Sequence, residues 1–137
     1  MTNGRNKGSA WERTCAALIK ENLGIEVKRD LEQYRQGDRG DLVGIDGAVI
    51  ECKRYKMANG GHYHEDWWRQ VENAAASASA EPFLIYKYDR AEPKVVVRLS
   101  FINPEYAGKS ETATIGMDCW YMLMREFLAE KALQKGV

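Results

Sequence analysis

The segment GDLVGIDGAVIECKRY, residues 40–55, constrains the fold more than any other part of the chain. Asp46-Gly47 is the dipeptide favoured in two-residue hairpins, so residues 41–45 and 48–54 are expected to pair antiparallel. Leu42, Val43, Ile45, Val49 and Ile50 make this hairpin apolar, and such a hairpin belongs in a core. It nevertheless opens with Asp41 and closes with Glu51 and Lys53. Alternation places Glu51 and Lys53 on one face of the second strand and Ile50 and Cys52 on the other.

Two carboxylates at ~4 Å repel by ~4 kcal/mol at an effective dielectric near 20, unless one is protonated or a cation bridges them. A divalent metal removes the conflict. Carboxylate oxygens with retained waters are what Mg²⁺ or Mn²⁺ accepts, and a neighbouring lysine can orient water and stabilise negative charge developing on a phosphate. Asp41, Glu51 and Lys53 therefore suit phosphodiester hydrolysis. Register is the obstacle, because a plain two-residue turn pairs Leu42 with Glu51 and leaves Asp41 opposite Cys52, on the wrong face. A bulge at Gly44 corrects this by one residue; alternatively, Asp41 precedes the strand and escapes its parity.

Around the hairpin the pattern is helix, strands, helix, strands, helix. Ser9 and Glu12 match a capping box, and the helix they open runs to Leu23 and stops at Gly24, with Glu12, Ala16, Ile19 and Leu23 on one inward stripe. Residues 25–36 suggest a strand, 57–65 a flexible loop, and a second helix runs from Asp66, as its cap, to about Ala80. FLIYKY (83–88) and KVVVRLSF (94–101) are β-rich, and a last helix from Asp118 to about Gln134 bears Trp120, Leu123, Met124, Phe127 and Leu128.

Composition narrows the class. A chain of 137 residues with 45% hydrophobic content is expected to form one domain, 1–137, around a single core. No stretch approaches the ~18 apolar residues of a membrane span, and MTNGRNKGSA lacks a signal core, so a cytoplasmic protein is expected. Cys15, Cys52 and Cys119 show no CxxC spacing and are expected to be reduced core residues. Twenty basic and twenty acidic residues balance, which argues against indiscriminate coating of nucleic acid but leaves room for a basic face. Arg5, Lys7, Arg13, Lys28 and Arg29 cluster early, and Arg54 and Lys56 follow the hairpin.

The pattern Asp41-x9-Glu51-x-Lys53, after a helix carrying Glu12, resembles the PD-(D/E)xK nuclease motif, with Gly40-Asp41 standing where that motif has Pro-Asp. Lys7-Gly8-x-x-x-Glu12-Arg13, Asp41-Leu42-Val43, Ile50-Glu51-Cys52-Lys53 and Gln70-Val71-Glu72 are similar in order to the motifs of archaeal-type and phage Holliday junction resolvases. The resemblance covers roughly residues 5–100. It implies an α/β, restriction-endonuclease-like αβββαβ core, a mixed central sheet flanked by helices, with an extra C-terminal helix. It also implies Glu12, Asp41 and Glu51 as ligands of Mg²⁺ or Mn²⁺, Lys53 as the catalytic lysine and Gln70 as an active-site neighbour. DNA contacts would come from Arg5, Lys7, Arg13, Arg54 and Lys56, in a homodimer acting on four-way junctions in a bacterial or phage-infected cell. The archaeal resolvases place a serine before the Asp; LEQYRQGDRG has none, with Gln33 and Asp38 as stand-ins.

Other readings compete. Glu12 alone could be the capping-box acid, Glu51 and Lys53 a solvated salt bridge, and Trp67-Trp68 either helix packing or a stacking surface. His62-x-His64 lacks a third metal ligand in the sequence. The aromatic last helix suits core or a dimer surface. A restriction- or repair-type nuclease acting on duplex ends, flaps or lesions, and a non-catalytic DNA-binding module of the same fold, are the alternative functions.

Overall fold

The computed structural model describes residues 4–30, 40–57 and 59–135, except for the side chains of residues 4–7 and 59. Six strands form one sheet in sequence order: β1 (Lys28–Arg29), β2 (Leu42–Val43), β3 (Ala48–Tyr55), β4 (Glu81–Tyr88), β5 (Lys94–Arg98) and β6 (Thr112–Gly116). β3 and β4 are parallel and every other neighbouring pair is antiparallel, so the sheet is mixed as expected. Helix α1 (Gly4–Leu23) precedes the sheet, and α2 (Glu65–Ala78) makes the crossover that a parallel β3–β4 pair requires. A single turn, α3 (Leu99–Ile102), follows β5, and α4 (Met117–Lys135) closes the chain.

Apolar side chains pack on both faces of the sheet. Ile50 and Cys52 of β3 join Trp11, Cys15 and Ile19 of α1 and Trp120 and Met124 of α4 in one cluster. Val49 faces the other way and packs with Trp67, Trp68, Val71 and Ala74 of α2. The odd-numbered residues of β3, and with them Glu51 and Lys53, thus look toward α2.

Several elements differ from expectation. α1 starts at Gly4, so Ser9 lies more than a turn inside it and caps nothing; its Oγ accepts instead from Arg29 Nη2 at 3.0 Å. Among the described residues of the strand expected over 25–36, only Lys28–Arg29 forms a strand; residues 31–39, including Gln33 and Asp38, lie outside the described part. The N-cap of α2 is His64 rather than Asp66, which sits in the first turn and accepts from Arg69 Nη2 at 2.9 Å. Its loop is tethered, since the hydroxyls of Tyr86 and Tyr88 donate to the carbonyls of Gly61 (3.1 Å) and His62 (2.6 Å).

The β-rich run 94–101 ends at Arg98, and Leu99–Ile102 turns helical so that Phe101 meets Phe83 edge-on, with centroids 4.9 Å apart. Strand β6 is an addition; its half-exposed TATIG carries no strong alternation. Cys15 and Cys52 are buried, but Cys119 is exposed, opposite to expectation. Trp120 and Met124 are fully buried within the chain, so of the two readings of α4, core or dimer surface, these residues take the first. Among the described residues no helix is long and apolar enough to cross a membrane.

Candidate active site

The hairpin resolves its register problem at Gly44. Ala48 N–H donates to the Ile45 carbonyl (3.2 Å), which closes the two-residue turn, and Leu42 then pairs with Ile50 rather than with Glu51. One extra residue has entered the first strand, where Gly44 adopts φ +132°; a Cβ there would lie 2.7 Å from the Glu26 carbonyl oxygen. Asp41 consequently stands across from Glu51, held by its own N–H to the Ile50 carbonyl (2.8 Å). Gly40 explains why no proline precedes this aspartate, since any Cβ at that position would come within 2.8 Å of the Ile50 oxygen.

The environment of Glu51 is unusual for a charged group. Its side chain is 1% exposed, Gln70 Nε2 donates to Oε1 at 2.8 Å, and Lys53 Nζ lies 3.7 Å from the same oxygen. Oε2 is buried with no hydrogen-bond partner among the described residues. Burial first, and then the charge of Asp41, push the Glu51 carboxyl up to about 8 against the opposing pull of Lys53, with Glu12 adding the smallest increment. Asp41 is itself fixed, because the Cys52 N–H donates to its Oδ2 at 2.7 Å. A buried carboxylate pair with one oxygen left over and a lysine alongside fits a hard divalent cation that keeps some of its waters.

α1 supplies Glu12, and Trp11 sets its depth by donating from the indole N–H to the Ile85 carbonyl at 3.5 Å. Glu12 is buried and lies in the third turn of α1, so it is not a capping-box acid. Arg29 Nε lies 3.5 Å from Glu12 Oε1 while its Nη2 reaches Ser9, tying β1 to α1 beside the site. No group of three His, Cys, Asp or Glu side chains among the described residues converges on one point. Asp41 and Glu51 therefore form the pair, and Glu12 flanks it.

The expected DNA contacts divide. Arg13 and Lys56 are exposed, whereas Arg54 Nε is 3.3 Å from Asp89 Oδ1. Arg5 and Lys7 begin α1, but their side chains fall outside the description. Trp67 and Trp68 are packing residues, and His62 meets Glu65 at 3.8 Å. Two residues near the site were missed. Arg29 was noted only as one of a basic group, and buried Asp30 donates its N–H to the Asp41 carbonyl at 2.8 Å. Arg29-Asp30 had no motif to mark it; only its place in the basic run hinted at a role.

The sheet has the mixed α/β topology of a restriction-endonuclease-like fold, and it carries paired acids and a lysine on adjacent strands. The chain belongs to the family described as "Phage putative PDDEXK endonuclease", whose profile matches residues 3–119. Among solved structures it is similar to Hjc, a Holliday junction resolvase from the archaeal hyperthermophile Archaeoglobus fulgidus. The TM-score is 0.51 at 20% identity, over 82% of this chain and 85% of that one. No curated protein matches the sequence.

Proposed function

We propose that the chain is a divalent-metal-dependent, structure-selective DNA endonuclease that cuts four-way junctions as a homodimer. The observation that carries the chemistry is Oε2 of Glu51, buried without a donor among the described residues, opposite Asp41 and beside Lys53. Similarity in fold to a junction resolvase supports the choice of substrate.

Asp41 and Glu51 would hold the ion, Mg²⁺ or Mn²⁺, which when bound supplies Lewis acidity at the phosphate and at the departing 3′-oxygen. Water attacks phosphorus in line, the P–O3′ bond breaks, and the products carry a 5′-phosphate and a 3′-hydroxyl. Lys53 Nζ donates to the non-bridging oxygen on which charge accumulates and orients the attacking water. Gln70 donates to Glu51 Oε1 and so would leave Oε2 to a bound cation. Arg13 and Lys56 take backbone phosphates, which position the DNA without reading sequence.

Competition binding tests the substrate. With Ca²⁺ replacing Mg²⁺ to suppress cleavage, a four-way junction should outcompete linear duplex of the same sequence by a factor on the order of 10². Arg13→Ala and Lys56→Ala should each flatten the salt dependence by about one phosphate contact per subunit. Equal competition by the two DNAs would remove the junction reading and leave the nuclease standing. Light scattering should give twice the 15.6 kDa chain mass. Because Trp120 is core, Trp120→Glu should unfold the protein rather than dissociate it.

A further inference from the structure

Beyond Glu51 and Lys53, the same face of β3 ends in Tyr55, since residues two apart on a strand share a side. Tyr55 is 50% exposed. One face of its ring stacks on Trp67 of α2, with centroids 5.1 Å apart and planes 16° from parallel. Behind it, His64 meets Trp67 edge-on at 4.6 Å. Lys56, exposed Met57 and Asp66 complete the rim of an open surface pocket around these rings. No second ring covers Tyr55 among the described residues.

We infer that this pocket is a stacking site for one unpaired nucleobase next to the scissile phosphate, with Tyr55 as the platform. The inference rests on the nuclease reading and specifies what that site selects. Two strand residues span roughly 7 Å, about two base rises of 3.4 Å along one DNA strand. A strand whose phosphate lies at Lys53 therefore brings a base one or two nucleotides on within reach of the Tyr55 ring. A paired base inside a duplex cannot offer its face, whereas bases at a junction centre or a flap can. Lys56 adjoins the ring and suits the next phosphate. The stack on Trp67 holds the platform rigid before DNA arrives, so little ordering remains to oppose binding.

The test uses the full-length protein, Ca²⁺, and a four-way junction carrying 2-aminopurine one or two nucleotides from the cut. Wild type should quench the probe on binding. Tyr55→Phe should quench equally, while Tyr55→Ala and Tyr55→Leu should leave the probe bright and bind the junction roughly ten-fold more weakly, with linear duplex affinity nearly unchanged. Leucine keeps an apolar cover on Trp67 without a π-face, so full quenching and affinity in Tyr55→Leu would reduce Tyr55 to a structural lid and overturn the site. Unchanged quenching in Tyr55→Ala would do the same while sparing the nuclease. If light scattering shows Tyr55→Ala halved in mass with binding lost in parallel, the ring belongs to a contact with a second copy of the chain and the inference is wrong. A wild type that binds no DNA would overturn the nuclease reading and this site together.

Discussion

Glu81 and Glu51 lie on adjacent strands of one sheet and are treated in opposite ways. At the start of β4, Glu81 receives two hydrogen bonds of 2.8 Å from Arg98 Nε and Nη2, a bidentate pair in which each charge meets its counter-charge. Glu51 has a neutral amide at 2.8 Å and Lys53 at 3.7 Å on one oxygen, no donor on the other among the described residues, and a second carboxylate across the ladder. The first arrangement is complete without any further group. The second favours an added proton, because two acids share a buried space and the lysine only partly offsets them.

The largest contrast should be catalytic. Glu51→Gln, Asp41→Asn and Lys53→Ala should each lower cleavage of a Mg²⁺-loaded junction by on the order of 10³-fold or more while circular dichroism shows an intact fold. Glu81→Gln should leave the rate almost unchanged in the same assay. A Glu51→Gln protein that cuts at the wild-type rate would erase the distinction between the two carboxylates.

Next in size is the pH dependence of stability. The folded state holds Glu51 at about 8, above its ordinary 4.5, so between those values the folded chain carries a proton that the unfolded chain has released. This contribution is fully present below about pH 4.5 and is lost as pH rises through 8 in metal-free protein. Denaturant titrations at mildly acidic and mildly basic pH should show wild type losing stability on the order of a few kcal/mol relative to Glu51→Gln. Mn²⁺ should recover much of the loss at the basic end, because the ion takes the proton's place.

Gln70→Ala sharpens the comparison further, since it frees the second oxygen of Glu51. Calorimetric affinity for Mn²⁺ should fall about 10- to 100-fold, as for other groups that orient a ligand from behind. The smallest effect belongs to the closed pair. Arg98→Ala should cost about 1 kcal/mol in thermal or chemical denaturation, because its side chain is 42% exposed and water screens the interaction.

Much of this site was legible before any coordinates, and for definite reasons. Asp-Gly turns and period-two alternation are local rules, so the hairpin, the shared face of Glu51 and Lys53 and the two ways of turning Asp41, a bulge or a place ahead of the strand, all followed from adjacent residues; the structure has both. The helix bearing Glu12 was equally plain, although its start was not. Ser9 and Glu12 mimic a capping box, and nothing nearby reveals that Arg29, twenty residues on from Ser9, takes up both side chains. Long-range pairing also hid the role of α4. Trp120, Met124 and their neighbours look like a surplus apolar surface until Phe83, 5.6 Å from Trp120 between centroids, claims them for the core. Phe101 belonged to an apolar run that fits either a strand or a helical turn, and only the space beside Phe83 decided between them.

The single residue inserted at Gly44 has a consequence for how this stretch can change length. Asp41 faces Glu51 because the bulge takes up one residue between the aspartate and the turn at Asp46-Gly47. Removing one residue from that interval removes the bulge and leaves a plain two-residue hairpin in which Asp41 still faces Glu51, whereas adding one turns the carboxylate to the opposite side of the strand and into the apolar layer around Cys52. Gene variants of this hairpin should therefore tolerate the loss of one codon here and reject the gain of one, a slack of a single residue that runs in one direction only.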